Sequence, residues 1–284
     1  MISYFQAIVL GLLQGVSELF PISSLGHSVI LPSLLGWNIN QQDSFFLTFL
    51  VATHLATAIV LVGFFWQDWV RIIKGLGKTF QDREVSDENI PGKLGWLLIV
   101  GTIPAAILGL LFQDGLRAVF ASAQSAAFFL ILNGIVLCGA EQLRKKAVKR
   151  SENGDTTLAK LTWAQSLGVG AAQAIALIPG FSRSGASMAG SLVVGLSNEE
   201  AARFSFLLAT PVIGAAAILK LPELFTAQNN NLLGPAFVGA LCAGVTAYFS
   251  VKFLVKYFES NKLTPFAIYS FVAGIIFSIL LLFR

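Results

Sequence analysis

Charge is what this sequence has least of. Lys, Arg, Asp and Glu together make up 12% of its 284 residues, whereas hydrophobic residues make up 55%. Soluble domains carry roughly a quarter charged residues, so this chain has too little polar surface to coat a globule in water. The shortage excludes an ordinary soluble protein and predicts an integral membrane protein, with lipid as its solvent.

Cysteine and early basic residues are also scarce. The two cysteines, Cys138 and Cys242, both lie in apolar runs, where a free thiol behaves as a small buried hydrophobe. They provide neither a disulfide framework nor the spacing of a zinc site. No Lys or Arg precedes Arg71, which disfavours a cleavable signal peptide. The net charge of +4 falls in short loops, where membrane topology explains it and no nucleic-acid partner is expected.

Long uncharged runs are what the sequence has instead. Six of them reach the roughly 20 residues that a membrane-spanning helix needs. These predicted spans are Phe45–Trp66, Leu94–Gln113, Ala118–Ala140, Asn198–Leu219, a run from near Pro235 to Val251, and Leu263–Phe283.

Two further apolar stretches, 1–17 and 184–198, are too short to span a membrane alone. Each adjoins a segment rich in Pro, Gly and Ser, at 21–26 and at 179–185. Proline removes a backbone donor and glycine loosens a helix, so each region is predicted to form two half-helices around a break. Such breaks are tolerated in lipid only where they are buried in protein or line a wet cavity.

Basic residues alternate between the loops. The loops 67–93 and 141–160 are rich in Lys and Arg, whereas the loops 113–122 and 220–231 are poor in them. Basic loops stay in the cytoplasm. The first broken helix pair is therefore predicted to open from the outside and the second from the cytoplasm, and the C-terminus is predicted to lie outside.

The two breaks lie in similar sequences. Residues 11–27 read GLLQGVSELFPISSLGH and residues 170–186 read GAAQAIALIPGFSRSGA. Three spans follow each block, and because three is odd, the second copy would lie inverted relative to the first. Broken helices in matching positions of inverted halves point to a binding site at the membrane midplane. Chance similarity between two blocks rich in small residues is the alternative.

The predicted fold is therefore an all-α integral membrane protein built from two inverted-topology repeats. Each repeat is a broken re-entrant helix hairpin followed by three transmembrane helices. The first repeat covers 1–142, with its hairpin at 3–36, and the second covers 160–284, with its hairpin at 161–197. Both belong to a single membrane domain.

Glu18 is the only acidic residue in the first 42 residues, and Gln14 lies four positions before it, on the same helical face. A carboxylate at lipid depth is energetically costly and is a functional candidate by default. The C-terminal end of a half-helix also repels anions, so Glu18 requires a bound cation, an arginine or a proton. A purely structural counter-ion is the alternative role.

Arg183 lies in the second break, between Ser182 and Ser184. Its guanidinium is permanently charged and matches the oxygens of phosphate or carboxylate. With the Ser- and Gly-rich surroundings, this pattern favours an anion site. An ion pair with Glu18 that only locks the two halves together is the alternative.

Ser23 and Ser24 follow the proline of the first break, where an N-cap hydroxyl is expected, and the same helix N-terminus would offer N–H groups to an anion. His27 lies one turn after Ser24. Glu18, Ser24 and His27 together could activate a nucleophile or transfer a proton. His54 has no local partner and is predicted to be a packed, hydrogen-bonded residue.

The segments 14–18, 21–27 and 179–185 resemble the two characteristic motifs of the undecaprenyl-diphosphate phosphatases of the bacitracin-resistance type. The length and the pattern of spans agree with that family over essentially the whole chain. Its members are integral membrane enzymes of bacteria. They convert the diphosphate of the undecaprenyl lipid carrier to the monophosphate and inorganic phosphate, which recycles the carrier for peptidoglycan synthesis.

The resemblance implies a multi-pass enzyme of the bacterial plasma (inner) membrane whose catalytic residues are Glu18, Ser24, His27 and Arg183. Arg183 would clamp the diphosphate, and Ser24 would attack the terminal phosphorus, with His27 as the alternative nucleophile. The resemblance also implies a polyprenyl diphosphate substrate, a possible homodimer, and a divalent cation, Mg²⁺ or Ca²⁺. The implied substrate-binding residues are Ser23, Ser182, Ser184 and Gly185, and the implied metal ligands are Glu18 and Gln14.

A transporter is the rival interpretation, because inverted repeats with broken helices are also a transporter plan. A carrier or flippase of a phosphorylated lipid or anion would equally need Arg183 and paired helix N-termini. The cluster of Glu18, Ser24 and His27 favours chemistry. The lipid-phosphatase class that resembles haloperoxidases needs a histidine downstream of its arginine, and no histidine follows His54, which excludes that class.

Overall fold

The computed structural model describes residues 2–41, 44–111, 122–147, 154–220, 222 and 233–283. These residues form α-helices, a short 3₁₀ helix at Ile175–Leu177 and connecting turns, without a strand. In chain order the helices are α1 (Tyr4–Ser17), α2 (Ser24–Leu35), α3 (Ser44–Phe64), α4 (Trp66–Asp82), α5 (Ile90–Leu111), α6 (Ala123–Ala147), α7 (Gly154–Ala159), α8 (Trp163–Ala174), α9 (Arg183–Val193), α10 (Asn198–Lys220), α11 (Leu233–Phe258) and α12 (Thr264–Leu282).

Six helices in the described part of the chain are long and apolar enough to span a membrane, namely α3, α5, α6, α10, α11 and α12. The six predicted spans are therefore confirmed, although the ends differ by a few residues. The helix predicted from Leu94 begins at Ile90, and the one predicted from near Pro235 begins at Leu233. The chain thus has the architecture of a multi-pass membrane protein.

The helix breaks occur where the Pro, Gly and Ser content predicts them. Between α1 and α2, Ser23 is the N-cap residue, and its Oγ accepts the N–H of Gly26 at 3.1 Å. Between α8 and α9, Ser182 is the N-cap residue, and its Oγ accepts the N–H of Gly185 at 3.1 Å. Each break therefore ends in the same serine cap, which satisfies a backbone donor that the broken helix would leave free.

Glycines bring α1 and α8 into direct backbone contact with neighbouring spans. A Cβ added to Gly11 in α1 would lie 2.2 Å from the carbonyl oxygen of Gly239 in α11. A Cβ added to Gly170 in α8 would lie 2.1 Å from the carbonyl oxygen of Gly101 in α5. Small residues at helix contacts are typical of membrane proteins, where close approach replaces the hydrophobic effect as the driving force.

Three features differ from the sequence predictions. The described part of the predicted loop 141–160 is mostly helical, because residues 141–147 continue α6 and residues 154–159 form α7. Residues 66–82 form helix α4 rather than part of a loop, because their apolar residues recur at helical spacing between the charges. Cys138 is exposed rather than buried, since it lies in a shallow groove between α6 and α12, whereas Cys242 is partly buried; both are free thiols. Most of the predicted loops 113–122 and 220–231 lie outside the described residues.

Candidate active site

Glu18 is the centre of the site and directly follows α1. Its side chain is almost fully buried, at the helix end where the backbone dipole disfavours an anion. Arg183, the first residue of α9, compensates it. The Nη2 and Nε groups of Arg183 donate to Glu18 Oε1 at 2.7 and 3.2 Å. The two breaks, 165 positions apart in the sequence, are therefore joined by a buried ion pair.

The other carboxylate oxygen of Glu18 accepts three hydrogen bonds. Ser24 Oγ, at the start of α2, donates to Oε2 at 2.5 Å. Gln14 Nε2, one turn earlier in α1, donates to the same oxygen at 3.0 Å. His54 Nε2, from the middle of α3, lies 3.1 Å from it. The carboxylate is thus held by four side chains and is positioned to accept the hydroxyl proton of Ser24.

The contacts of His54 constrain where its protons lie. Its Nδ1 is 2.7 Å from the carbonyl oxygen of Leu50, and because a carbonyl only accepts, Nδ1 carries a hydrogen. Its Nε2 faces Glu18 Oε2 at 3.1 Å. His54 is therefore a direct side-chain partner of the catalytic candidate Glu18.

His54 is hydrogen-bonded, as predicted, but sequence reasoning missed its contact with Glu18. Its partner lies 36 positions away in the sequence, beyond any helical periodicity. One signal could have found this contact. A histidine inside a span is energetically costly, and a buried carboxylate such as that of Glu18 needs a positive or hydrogen-donating partner.

His27 is placed differently from Ser24. Its Nδ1 lies 2.7 Å from the carbonyl oxygen of Ser23, and its Nε2 lies 2.9 Å from the hydroxyl of Tyr269 in α12. The ring stacks on that of Tyr269, with the ring centroids 5.8 Å apart. The structure thus brings Glu18 and Ser24 together, while both ring nitrogens of His27 bond to other groups.

The serines of the second break tie it to the first. Ser182 Oγ and Ser184 Oγ are 3.1 Å apart, and Ser184 Oγ donates to the carbonyl oxygen of Phe20 at 3.2 Å. A Cβ added to Gly26 would lie 3.0 Å from the Cα of Gly180. The breaks therefore touch through both backbone and side chains, which holds Glu18 opposite Arg183.

Asn133, in the middle of α6, holds both breaks and was not found from the sequence. Its Nδ2 donates to the carbonyl oxygen of Pro21 at 3.0 Å and to Ser270 Oγ at 3.1 Å, and its Oδ1 accepts the N–H of Ser182 at 3.1 Å. The side chain is buried, so all of its hydrogen-bonding groups are used inside the protein. A single asparagine in an apolar span is the signal that could have pointed to it.

A cavity of about 350 Å³ opens beside these residues. Its polar end is formed by Glu18, Ser24, His54, Ser182 and Arg183. Its walls are apolar and are contributed by Leu25, Leu47, Leu50, Val51, Gly109, Ala176, Leu177, Phe181, Val212, Ile213 and Ala216. A cavity with one charged end and long apolar walls suits a ligand with a polar head and a hydrocarbon tail.

Two polar groups at this site have no partner among the described residues. Arg183 Nη1 is a buried donor without an acceptor, and Gln14 Oε1 is a buried acceptor without a donor. Buried polar groups are rarely left unpaired. A bound anion would satisfy the arginine, and a cation would satisfy the amide oxygen.

The described residues supply too few ligands to bind a divalent cation by themselves, so a bound phosphate or water would have to supply the remaining oxygen atoms. In the described part of the chain, no group of three or more His, Cys, Asp or Glu side chains converges on one point. Magnesium commonly uses one or two carboxylates together with phosphate oxygens and water. Among the described site residues, Glu18 supplies one carboxylate, whose two oxygens already accept hydrogen bonds from protein side chains. Gln14 Oε1 is the adjacent oxygen without a partner.

Comparison with known proteins agrees with the motifs. The family model described as bacitracin resistance protein BacA matches residues 7–276. An undecaprenyl-diphosphatase of Mycolicibacterium paratuberculosis is 43% identical, over 96% of this chain and 95% of that protein. The undecaprenyl-diphosphatase of Mycobacterium avium is 42% identical over the same shares. An undecaprenyl-diphosphatase 2 of Chromobacterium violaceum is 43% identical, over 95% of this chain and 96% of that protein.

Proposed function

We propose that this chain, which belongs to the BacA family of bacitracin resistance proteins, is a membrane phosphatase that hydrolyses undecaprenyl diphosphate to undecaprenyl phosphate and inorganic phosphate. The reaction recycles the lipid carrier for peptidoglycan synthesis in the bacterial inner membrane. One observation carries the proposal: the cavity joins a serine, a carboxylate and an arginine at one end to apolar walls that suit a prenyl tail.

Ser24 is the proposed nucleophile, because its hydroxyl already donates to Glu18 Oε2 at 2.5 Å. Glu18 accepts that proton while Ser24 Oγ bonds to the terminal phosphorus and the bond to the bridging oxygen breaks. Undecaprenyl phosphate leaves and takes the proton with it. Water then attacks the phosphoserine, Glu18 passes a water proton back to Ser24 Oγ, and inorganic phosphate is released. His27 remains the alternative nucleophile, although both of its ring nitrogens bond elsewhere.

Arg183 is the proposed clamp for the diphosphate. Its Nε and Nη2 hold Glu18, which leaves Nη1 as the donor for a phosphate oxygen. The N-termini of α2 and α9 add backbone N–H groups and a favourable dipole for an anion. Ser23, Ser182 and Gly185 act here by shaping these N-termini.

Mg²⁺ or Ca²⁺ is the proposed cofactor, with Glu18 and Gln14 as its protein ligands. The bound ion would neutralise charge on the phosphate oxygens. The support is the unpaired Gln14 Oε1 beside a carboxylate.

Inverted repeats over 1–142 and 160–284 are the proposed architecture, with re-entrant hairpins at 3–36 and 161–197. Capping boxes open both hairpins, at Ser3 on α1 and at Thr162 on α8. Ser3 precedes the N-cap residue Ser23 by the same number of positions as Thr162 precedes the N-cap residue Ser182. The glycine contacts also correspond, since Gly11 meets the second span of the other repeat and Gly170 does the same in return.

Phosphate release from a polyprenyl diphosphate, by purified protein in detergent with Mg²⁺, tests the function. Ser24→Ala, Glu18→Gln and Arg183→Ala should each lower the rate by about a thousandfold or more, as expected for groups that act as a unit. Ser28→Ala is the matched control, because Ser28 is buried one turn further along α2 and its Oγ has no partner in the described residues. No release by the wild type, or undiminished release by the three variants, would contradict the proposal.

Trapping of labelled phosphate on the protein identifies the nucleophile. Label that is present on the wild type and on His27→Ala, but absent from Ser24→Ala, would assign this role to Ser24.

Transport of a phosphorylated lipid is the second candidate, favoured by the two helix breaks that meet in one site. Liposomes that contain the protein and a fluorescent polyprenyl phosphate distinguish the two functions. Movement of the lipid between leaflets without phosphate release from the diphosphate would support the transporter.

A further inference from the structure

Helix α4 has three different sides, and the first of them packs on the protein. Ile72, Gly75 and Thr79 are buried. Gly75 lies directly against Gly92 of α5, and Trp96 Nε1 donates to Thr79 Oγ1 at 3.0 Å. The buried side is therefore fixed to the first two turns of a span.

The second side of α4 is an exposed apolar stripe. Trp66, Ile73 and Phe80 are 61%, 63% and 70% exposed. Residues seven positions apart fall nearly on one line along a helix, so the three large side chains form a single ridge. Phe80 also contacts the ring of Trp96, with the ring centroids 5.7 Å apart, and most of the surface of all three side chains stays exposed.

The third side of α4 is basic and exposed. It carries Arg71, Lys74 and Lys78, which lie on the helix face next to the apolar ridge. Asp68 accepts from Arg71 and from Arg203 of α10, so the charge of Arg71 is paired within the protein. Lys74 and Lys78 have no ion-pair partner in the described residues, so their charges are available to an outside ligand.

The position of α4 in the fold places it at the edge of the membrane. It begins two residues after the span α3 ends. It lies on the start of α5, and the ion pair from Asp68 to Arg203 joins it to the start of the span α10. Three spans thus begin or end at this level, and the loop that contains α4 has the basic content of a cytoplasmic loop.

We propose that α4 lies in the cytoplasmic surface of the bilayer and binds anionic phospholipid headgroups. The ridge of Trp66, Ile73 and Phe80 enters the acyl boundary, and Lys74 and Lys78 meet phosphate at headgroup depth. A helix with an apolar side and a neighbouring basic side is the form that lies in a membrane interface. Charge complementarity selects anionic over zwitterionic lipid, because anionic lipids give the cytoplasmic leaflet a negative surface.

Native mass spectrometry of the full-length protein in detergent tests this binding. The protein is titrated with phosphatidylglycerol or with phosphatidylcholine of the same chains, and bound lipids are counted. The wild type should retain phosphatidylglycerol preferentially. Lys74→Gln with Lys78→Gln should weaken that binding by about 25-fold, since each lysine near an anionic surface contributes about fivefold in affinity.

The matched control is Lys252→Gln with Lys256→Gln on α11, an exposed pair with the same spacing that lies on a spanning helix rather than on a helix at the edge of the spans. The control should lose phosphatidylglycerol affinity by a factor at least fivefold smaller than Lys74→Gln with Lys78→Gln does.

Ile73→Ser with Phe80→Ser should weaken retention of both lipids, because this double variant removes the apolar contact with the acyl chains. Equal retention of the two lipids by the wild type, or equal losses in the two lysine pairs, would overturn the proposal. A second copy of the chain on the ridge, seen as a dimer that lipid does not displace, would also overturn it. Unchanged melting temperatures without lipid establish that the variants are folded.

Discussion

At the scale of single residues, the site is organised by one carboxylate that cannot be buried alone. Glu18 accepts from Arg183 on one oxygen and from Ser24, Gln14 and His54 on the other. An unpaired buried charge is strongly destabilising, so each donor contributes both to stability and to the direction of the carboxylate. His54 and Gln14 are therefore positioning residues. They hold the carboxylate of Glu18, which accepts the hydroxyl of Ser24.

His54→Leu should lower kcat for phosphate release by about 100-fold, because small displacements of a catalytic group have effects of that size. KM should change by less than about threefold, since the apolar walls still bind the tail. His54→Gln keeps a donor near Glu18 and should recover most of the loss. The steady-state kinetics of both variants check this.

Thr53→Val is the control for that pair, because Thr53 is buried in the same helix and its hydroxyl donates, among the described residues, to the carbonyl oxygen of Leu50. Its kcat should stay near the wild-type value. A proportional loss of kcat in all three variants would indicate a packing effect and contradict the positioning role.

Removal of divalent cations tests whether activity needs a metal ion and whether Gln14 is one of its ligands. Chelation by EDTA should abolish phosphate release by the wild type, and Mg²⁺ or Ca²⁺ should restore it. Gln14→Glu places a second carboxylate beside Glu18 and should lower the Mg²⁺ concentration for half-maximal rate by about tenfold, because two carboxylates hold the ion more strongly than one. Mg²⁺ titrations of the two proteins give the comparison, and identical midpoints would argue against Gln14 as a ligand.

At the scale of elements, the site depends on how closely the broken helices approach the spans. Gly170 in α8 touches the backbone of α5, and Gly11 in α1 touches that of α11. Asn133 adds polar contacts from α6 to both breaks. Packing of backbones without intervening side chains fixes the depth and rotation of each helix, and therefore the distance between Glu18 and Arg183.

Gly170→Ala should destabilise the protein by about 3 kcal/mol, the upper range for overpacking, because the added methyl group would meet a backbone oxygen that cannot move aside. Gly168→Ala, on the same helix, has nothing within 4 Å of its added Cβ. It should be neutral or stabilising by about 0.5–1 kcal/mol, since alanine is the better helix former. Thermal unfolding in detergent measures both, and equal melting temperatures would contradict the close contact.

At the scale of the whole molecule, the proposed inversion has a direct consequence for exposure. Ser3 and Thr162 open the two hairpins at corresponding positions. If the repeats are inverted, these residues face opposite sides of the membrane, and the C-terminal end of α12 lies on the same side as Ser3.

Single cysteines at these positions test the topology in a background of Cys138→Ala and Cys242→Ala. A membrane-impermeant maleimide should label Ser3→Cys and Phe283→Cys in intact cells. It should label Thr162→Cys only after the membrane is permeabilised. Labelling of Ser3→Cys and Thr162→Cys from the same side would exclude inverted repeats, whatever the enzymatic activity.

Much of this organisation was predictable from the chain. The spans followed from uncharged runs, and the breaks followed from proline, glycine and serine, because both signals act over a few neighbouring residues. The need of Glu18 for a positive partner followed from the cost of a charge in lipid, with an arginine as one of the alternatives. The structure shows that Arg183 is this partner. Helix α4 was not predictable in this way, because its charged residues interrupt the apolar spacing that indicates a helix.

The sequence by itself predicted six spans, two shorter helices next to breaks, and one acid and one arginine at those breaks whose charges need compensation. Only the tertiary structure decided which other groups meet them. It turned His54 of α3 towards Glu18 and His27 of α2 towards Tyr269, and it placed Asn133 between the breaks. The physical reason is that hydrophobicity and backbone chemistry are local properties of the chain. The rotation of one helix against another depends on contacts between residues far apart in sequence.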